Sequence, residues 1–248
     1  MCTHLRLEEV DSTNTYAKQH FAELPDGSVV SARLQTAGRG RVGRKWHSGD
    51  GLDITASFLF KNVPQPFYAG AITGIAAVEL LNEVCPEVKP FLKWPNDSYV
   101  GSAKRAGMLS EAVWEQGKIA CVICGIGLNV NSGSDLLDNA GQSAVSLYSL
   151  VKKQFDVEFL IERLVKIVNR YYIICQQCPE EVFAKWREYN RLIGHLIEVV
   201  EPSGRTMRGV FRDVSQDGAM VFESDGRQML FSCGDVKIIA QSLEFLSV

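Results

Sequence analysis

The chain has 248 residues, 46% of them hydrophobic, and a formal net charge of −3. That length can bury a large core, as one big domain or one with a small companion. The acidic balance argues against a broad nucleic-acid-binding face, no apolar run reads as a bilayer span, and no basic segment followed by an apolar stretch marks a signal peptide, so a cytoplasmic protein is expected. The seven Cys, an odd number scattered along the chain, suit reduced thiols rather than a disulfide framework.

In chain order, His4–Val10 alternates like an edge strand, and Asp11-Ser-Thr-Asn14 offers N-cap residues for a helix over 15–21. Asp26-Gly27 turns the chain into an apolar strand over 28–35, and 51–60 reads as the returning strand. Pro66–Val84 has Ile72, Ile75, Ala76, Val78, Leu80 and Leu81 at helical spacing. A short strand is predicted over 90–94, then two strands over 107–114 and 118–130 joined by a tight hairpin at Glu115-Gln-Gly-Lys118. Amphipathic helices follow over 156–176 and 180–189. From His195 onward, turn signals recur every eight or so residues (Pro202-Ser-Gly204, Gln216-Asp-Gly218, Ser224-Asp-Gly226, Cys233-Gly234), the spacing of a small all-β unit of about 55 residues. The organisation is therefore an α+β domain over 1–191 and a small β domain over 192–248.

The most informative stretch is Thr36-Ala-Gly-Arg-Gly-Arg-Val-Gly-Arg-Lys-Trp46. Gly permits close backbone approach, and Arg matches phosphate or carboxylate oxygens in pairs, so an anion is expected here. Gly38-Arg-Gly-Arg-Val-Gly43 has dinucleotide-fingerprint spacing, but that fingerprint must open a helix, and this loop runs into a strand. The kinase version sits between strands but needs a His-Arg-Asp loop and an Asp-Phe-Gly triplet, neither of which occurs. A solvated surface hairpin is the bland alternative. Lys93-Trp-Pro-Asn-Asp97 ends a strand in a turn, where Lys93 and Asp97 face one site or merely close the turn. Lys104-Arg-Ala-Gly-Met-Leu109 places a Lys just before a Gly-led strand. Gly125-Ile-Gly-Leu-Asn-Val-Asn131 ends a buried strand where a planar group can approach the backbone, with Asn129 and Asn131 bonding its edge or capping the strand. The Cys121/Cys124 pair points to opposite faces of a strand and Cys175/Cys178 ends a helix, so buried or incidental thiols are preferred over zinc.

Taken in order, Ser-Thr-Asn, Gln-x-Ala-Gly-Arg-Gly-Arg-x-Gly-Arg-x-Trp, Lys-Trp-Pro-Asn-Asp, Lys-x-Ala-Gly-x-Leu and Gly-Ile-Gly-x-Asn-x-Asn closely resemble the biotin–protein ligases across Ser12 to Asn131. The resemblance implies a mixed β-sheet with flanking helices, like the catalytic domain of class II aminoacyl-tRNA synthetases, followed by a small SH3-like β-barrel. It implies ATP-dependent activation of biotin as biotinyl-5′-AMP, with release of pyrophosphate. Transfer to a lysine of a biotin carboxyl carrier protein of acetyl-CoA carboxylase then follows. Ser12, Thr13, Asn14 and Gln35 would bind the biotin ring, and Arg39, Gly40, Arg41 and Lys104 its carboxylate. Arg39, Arg41 and Lys104 would be the catalytic groups. Arg39, Arg41, Arg44, Trp46, Lys93 and Asn129 would bind ATP or the adenylate. Mg2+ would be held mainly by ATP, with no dedicated metal site and Asp97 as a candidate contact. The loop 37–48 is expected to close over the adenylate.

Some relatives carry an N-terminal winged helix that binds an operator. This chain starts about ten residues before Ser12, so no such domain and no DNA partner are expected. Gly51-Leu-Asp-Ile-Thr-Ala56 departs from the family's Gly-x-Asn-Leu-Tyr, which leaves one wall of the biotin pocket open to question. A lipoate–protein ligase of the same fold class is the nearest alternative, and a non-catalytic nucleotide- or RNA-binding regulator a more distant one. The oligomeric state stays open, a weak homodimer included.

Overall fold

The computed structural model describes residues 3–137, 143–201 and 203–239. A seven-stranded sheet carries the first part of the chain: β1 (His4–Val10), β2 (Val29–Gln35), β3 (Ile54–Phe60), β4 (Pro90–Lys93), β5 (Asp97–Val100), β6 (Ala103–Glu115) and β7 (Lys118–Leu128). Their spatial order is β1-β2-β3-β7-β6-β5-β4. β1 and β2 pair in parallel and the other neighbours antiparallel, so the sheet is mixed. The parallel pair requires a crossover, supplied by α1 (Thr13–Gln19). β6 and β7 are joined by Gln116-Gly117, both at positive φ (49° and 77°), the primed geometry that tight hairpins favour.

β3 is buried at every position and pairs with β7 in the middle of the sheet, which explains why its sequence lacks a polar face. α2 (Pro66–Val84) lies against the sheet with Ile72, Ile75, Ala76 and Val78 fully buried. It is apolar and long enough to pass a length-and-hydropathy test for a membrane span, which the sequence reading did not expect. However, 67% of that window is buried inside the fold, as suits a core helix. After two short helices, α3 (Ser134–Leu137) and α4 (Leu147–Val151), come α5 (Val157–Gln177), capped by Asp156, and α6 (Pro179–Tyr189). α5 and α6 pack on α2. α1 covers a smaller cluster on the other face. Cys124 belongs to the large cluster and Cys121 to the small one, as the opposite-face reading of that strand requires.

The second sheet contains β8 (Leu196–Val200), β9 (Thr206–Val214), β10 (Met220–Ser224), β11 (Arg227–Phe231) and β12 (Asp235–Lys237), in the order β11-β10-β9-β8-β12. All its pairings are antiparallel, with a bulge in β9 at Arg212 opposite β10. The expected barrel is corrected here: among the described residues β11 does not pair with β12, so the sheet is open. The three-residue β12 is spent on β8. Phe211, Phe222, Ile197 and Val199 of this sheet join the same buried cluster as α2 and Trp94. Trp94 Nε1 donates to Gly218 O at 2.9 Å, a contact that ties the sheets together. Of the expected second unit 192–248, residues 240–248 lie outside the described residues.

Candidate active site

The start of α1, the end of β2 and the basic loop meet the middles of β6 and β7 around a cavity of about 230 Å³. Its wall brings together Ser12, Thr13, Asn14, Gln35, Arg39, Gly40, Arg41, Arg44, Trp46, Asp97, Lys104 and Asn129. Lys93 is the one expected site residue set behind this wall. It is buried, 3.9 Å from Asp97, with its ammonium 3.3 Å from the Tyr99 hydroxyl.

Ser12 is the extended N-cap of α1, yet its hydroxyl makes no capping bond. Being 97% hidden in an otherwise polar pocket, it keeps a proton to donate. Thr13 donates to Gln35 Oε1 through both its backbone N–H (2.9 Å) and its hydroxyl (3.1 Å). Asn14 gives its two amide hydrogens to Leu109 O (3.1 Å) and Glu111 Oε2 (2.9 Å). Ser57 Oγ lies 2.6 Å from Asn14 Oδ1 and 2.8 Å from Thr13 Oγ1. It has a single proton for these two acceptors. The cluster is therefore short of a donor, and a ligand N–H would complete it. Gly125 is what lets Asn14 lie on β7: a Cβ there would meet Asn14 Oδ1 at 2.3 Å.

The basic loop is itself a small hairpin. Gly40 N donates to Arg44 O at 2.7 Å and Trp46 N to Gly38 O at 2.9 Å, and Arg39 pairs with Lys45. At its tip Val42 is 86% exposed and has φ 53°, a left-handed conformation that a β-branched residue rarely adopts. The arginines are parted by carboxylates. Arg39 meets Glu111 at 2.7 Å, while Arg44 bonds both oxygens of Asp235 at 2.9 Å. Arg41 donates to Asn96 Oδ1 (2.8 Å) and Gly234 O (3.3 Å). The second sheet thus reaches the loop through β12.

Lys104 Nζ is 2.8 Å from Asp97 Oδ1 and 5.8 Å from the centre of the Trp46 ring. Burial pushes the Lys93 ammonium below its ordinary range, against the pull of Asp97. The Trp46 indole lies on Gly107 and Gly127, where a Cβ on Gly127 would meet the ring at 2.1 Å. Of the two glycines expected to admit a planar group, Gly127 is covered by the protein's own indole and Gly125 by Asn14; among the described residues the buried indole Nε1–H has no partner. Asn129 lines the cavity and also ties down the following segment, donating to Val145 O at 3.2 Å. Asn131 is drawn away into bonds with Phe155.

Four residues of this site escaped the sequence reading. Glu111 is a lone carboxylate within an apolar strand, and Ser57 a polar residue within an all-buried one; both are signals that could have been read. Asn96 lay inside a noted motif without a role. Asp235 has no local signal, because it meets Arg44 only through the packing of the second sheet. Asp53, the departure from the family pattern, accepts from Gly49 N (3.1 Å), Val130 N (2.8 Å) and Ser132 Oγ. It fastens the end of the loop to β7 from outside the cavity wall. Arg105, next to Lys104, is fully buried and donates to Ala77 O and Ser98 Oγ at 3.0 Å each, and burial lowers its pKa to about 10. Among the described residues, no cluster of three or more His, Cys, Asp or Glu forms a metal-binding group.

The family model described as the biotin/lipoate A/B protein ligase family matches residues 7–129. The chain is 31% identical to the biotin–[acetyl-CoA-carboxylase] ligase of Mycobacterium tuberculosis, over 85% of this chain and 79% of that protein. It is 34% identical to the chloroplastic biotin–protein ligase 1 of Arabidopsis thaliana, over 92% of this chain and 67% of that one. Among solved structures, the biotin protein ligase from Aquifex aeolicus in complex with biotin and ATP superposes with a TM-score of 0.80 at 24% identity, over 96% and 98% of the two chains.

Proposed function

The chain belongs to the biotin/lipoate A/B protein ligase family, and from that premise we propose that its cavity activates biotin with ATP and passes the biotinyl group to a lysine of an acetyl-CoA carboxylase carrier domain. ATP-dependent biotin ligation is the activity carried by the names of its relatives. The observation that supports it best is the pairing, in one cavity, of a donor-short polar cluster with fixed cations.

A ureido ring carries one carbonyl and two N–H groups. Ser12 can donate to the carbonyl, and the acceptor left over among Thr13 and Asn14 can take an N–H. Leu109 and Ile126 supply apolar wall. The valerate carboxylate then points toward Arg39, Arg41 and Lys104.

In the first half-reaction a carboxylate oxygen bonds the α-phosphorus of ATP while the bond to the pyrophosphate oxygen breaks. Two anions must approach each other, and fixed cations are what offsets their repulsion. Lys104, Arg39 and Arg41 fill that role. Arg44, half-exposed on the same wall, would meet the departing phosphates. Asp97, 2.8 Å from the Lys104 ammonium, keeps it aimed. Mg2+ would accompany ATP and offset phosphate charge, with Asp97 in the cavity wall as its candidate protein contact. In the second half-reaction a neutral lysine amine of the carrier attacks the acyl carbon, AMP leaves, and the amine loses its proton. No side chain of this protein becomes covalently modified. The loop 37–48 shields the anhydride from water, with Trp46 over the adenylate. We place the protein in the cytoplasm, with the β8–β12 sheet as a second unit that braces the loop through Gly234 and Asp235.

Pyrophosphate release should require both ATP and biotin, and lipoate should not replace biotin. Release driven equally by lipoate would redirect the reading to a lipoate ligase, and release with neither acid would defeat it.

A further inference from the structure

We infer that Glu111 is a positioning residue for both halves of this cavity, an assignment that rests on the biotin-ligase reading above. Glu111 stands on β6, 19% exposed at its side chain. Its two oxygens divide three donors between them. Oε1 takes Lys18 Nζ at 3.1 Å, and Oε2 takes both Asn14 Nδ2 at 2.9 Å and Arg39 Nη2 at 2.7 Å. Burial raises its pKa, but the hydrogen bonds from Asn14 and Lys18 and the charge of Arg39 outweigh burial and hold it below the ordinary carboxylate range. It is therefore ionised at neutral pH, with every contact a charge-assisted bond.

The consequences reach the cavity through Asn14 and Arg39. A carboxamide can be turned end for end without changing its shape. Glu111 Oε2 and Leu109 O are both acceptors, so only one orientation of Asn14 satisfies them, and it aims Oδ1 at Ser57 and the polar cluster. Without the carboxylate only Leu109 O is left to hold the N–H end, and an amide that reverses presents N–H groups where the ligand must also present one. Arg39 is gripped through Nη2, which leaves its remaining N–H groups for the cavity it lines. One carboxylate thus couples ring recognition to the cation beside the reacting carboxylate, without itself lining the cavity.

Two substitutions separate these roles. Glu111→Gln keeps a carbonyl oxygen that can accept from both Asn14 and Arg39, but it turns an amide toward Lys18 and brings no charge to hold Arg39. Glu111→Met keeps the length and serves neither. Biotin affinity would be measured by calorimetry, biotinyl-AMP formation by pyrophosphate release, and folding by thermal melting. We expect Glu111→Met to weaken biotin binding by about tenfold or more, the size of a lost charge-assisted bond. We expect Glu111→Gln to bind biotin within about threefold of the parent while forming the adenylate about tenfold more slowly, with melting near parental. Parental affinity and rate in both variants would overturn the assignment. So would losses that simply follow lowered melting in both, since those would mark a structural residue. Failure of the unaltered protein to form biotinyl-AMP would instead defeat the ligase reading itself.

Discussion

Gly125→Ala tests the polar cluster at its tightest point. The new methyl would stand 2.3 Å from Asn14 Oδ1 and 3.0 Å from its Cγ. A carbon–oxygen contact needs about 3.3–3.6 Å, so the carboxamide must withdraw by about 1 Å. The bonds at 2.6 Å to Ser57 and 2.9 Å to Glu111 do not survive such a shift. A neutral bond is worth about 1 kcal/mol and one to a charged group about 1.5–3 kcal/mol, together roughly 2–4 kcal/mol. That sum corresponds to about 30- to 700-fold in affinity. Part of it will fall on folding stability, so we expect biotin to bind at least about tenfold more weakly and the melting temperature to fall by a few degrees. Gly133→Ala is the control, because a methyl there meets no atom within 4 Å. Calorimetric titration with biotin on both variants reads the difference. Parental affinity in Gly125→Ala would refute the placement of Asn14 in the biotin site.

Three further outcomes follow from the geometry. Lys104→Met, which removes the cation 2.8 Å from Asp97, should slow pyrophosphate release by about 10²–10³ while biotin still binds; an unimpaired rate would remove Lys104 from the chemistry. Lys93 is buried with its pKa lowered, so between that lowered value and the ordinary lysine range the unfolded chain binds more protons and the fold gains stability as pH rises. Lys93→Met should therefore melt higher than the parent near neutrality, with the gap closing at alkaline pH, and a gap that is flat with pH would contradict this. Glu111, with its pKa lowered, contributes stability above the ordinary glutamate range that is lost as pH falls through its folded value. The melting difference between the parent and Glu111→Met should accordingly shrink on acidification, and a constant difference would contradict the ion-paired carboxylate.

Much of this architecture was legible from residues alone. β1 and α2 fall where alternation and helical spacing place them, and the Gln116-Gly117 turn falls where its residue types do. The helix after Ser12 begins at Thr13 rather than residue 15, because the N-cap is Ser12 itself. The turn expected at Asn96-Asp97 gives way at Asp97 to β5, for which the sequence offers no strand signal, because pairing with β4 and β6 is what extends 97–100. In the site, the loop, the Ser-Thr-Asn run and Lys104 announced themselves by composition and order. The counter-ions did not. Glu111 and Asp235 matter because long-range pairing delivers them to Arg39 and Arg44, and neither burial nor pairing is written in local spacing. Lys93 illustrates the converse: its motif was visible, but that it lies behind Asp97 rather than on the wall is decided by strand register.

The most direct test is transfer itself. The full chain would be incubated with ATP, Mg2+, either biotin or lipoate, and a carrier domain of acetyl-CoA carboxylase, and the intact carrier then weighed. We expect one biotinyl group on a single lysine, dependent on ATP and on biotin. A carrier that stays unmodified with biotin, or gains a lipoyl group instead, would contradict the assignment of this cavity to biotin.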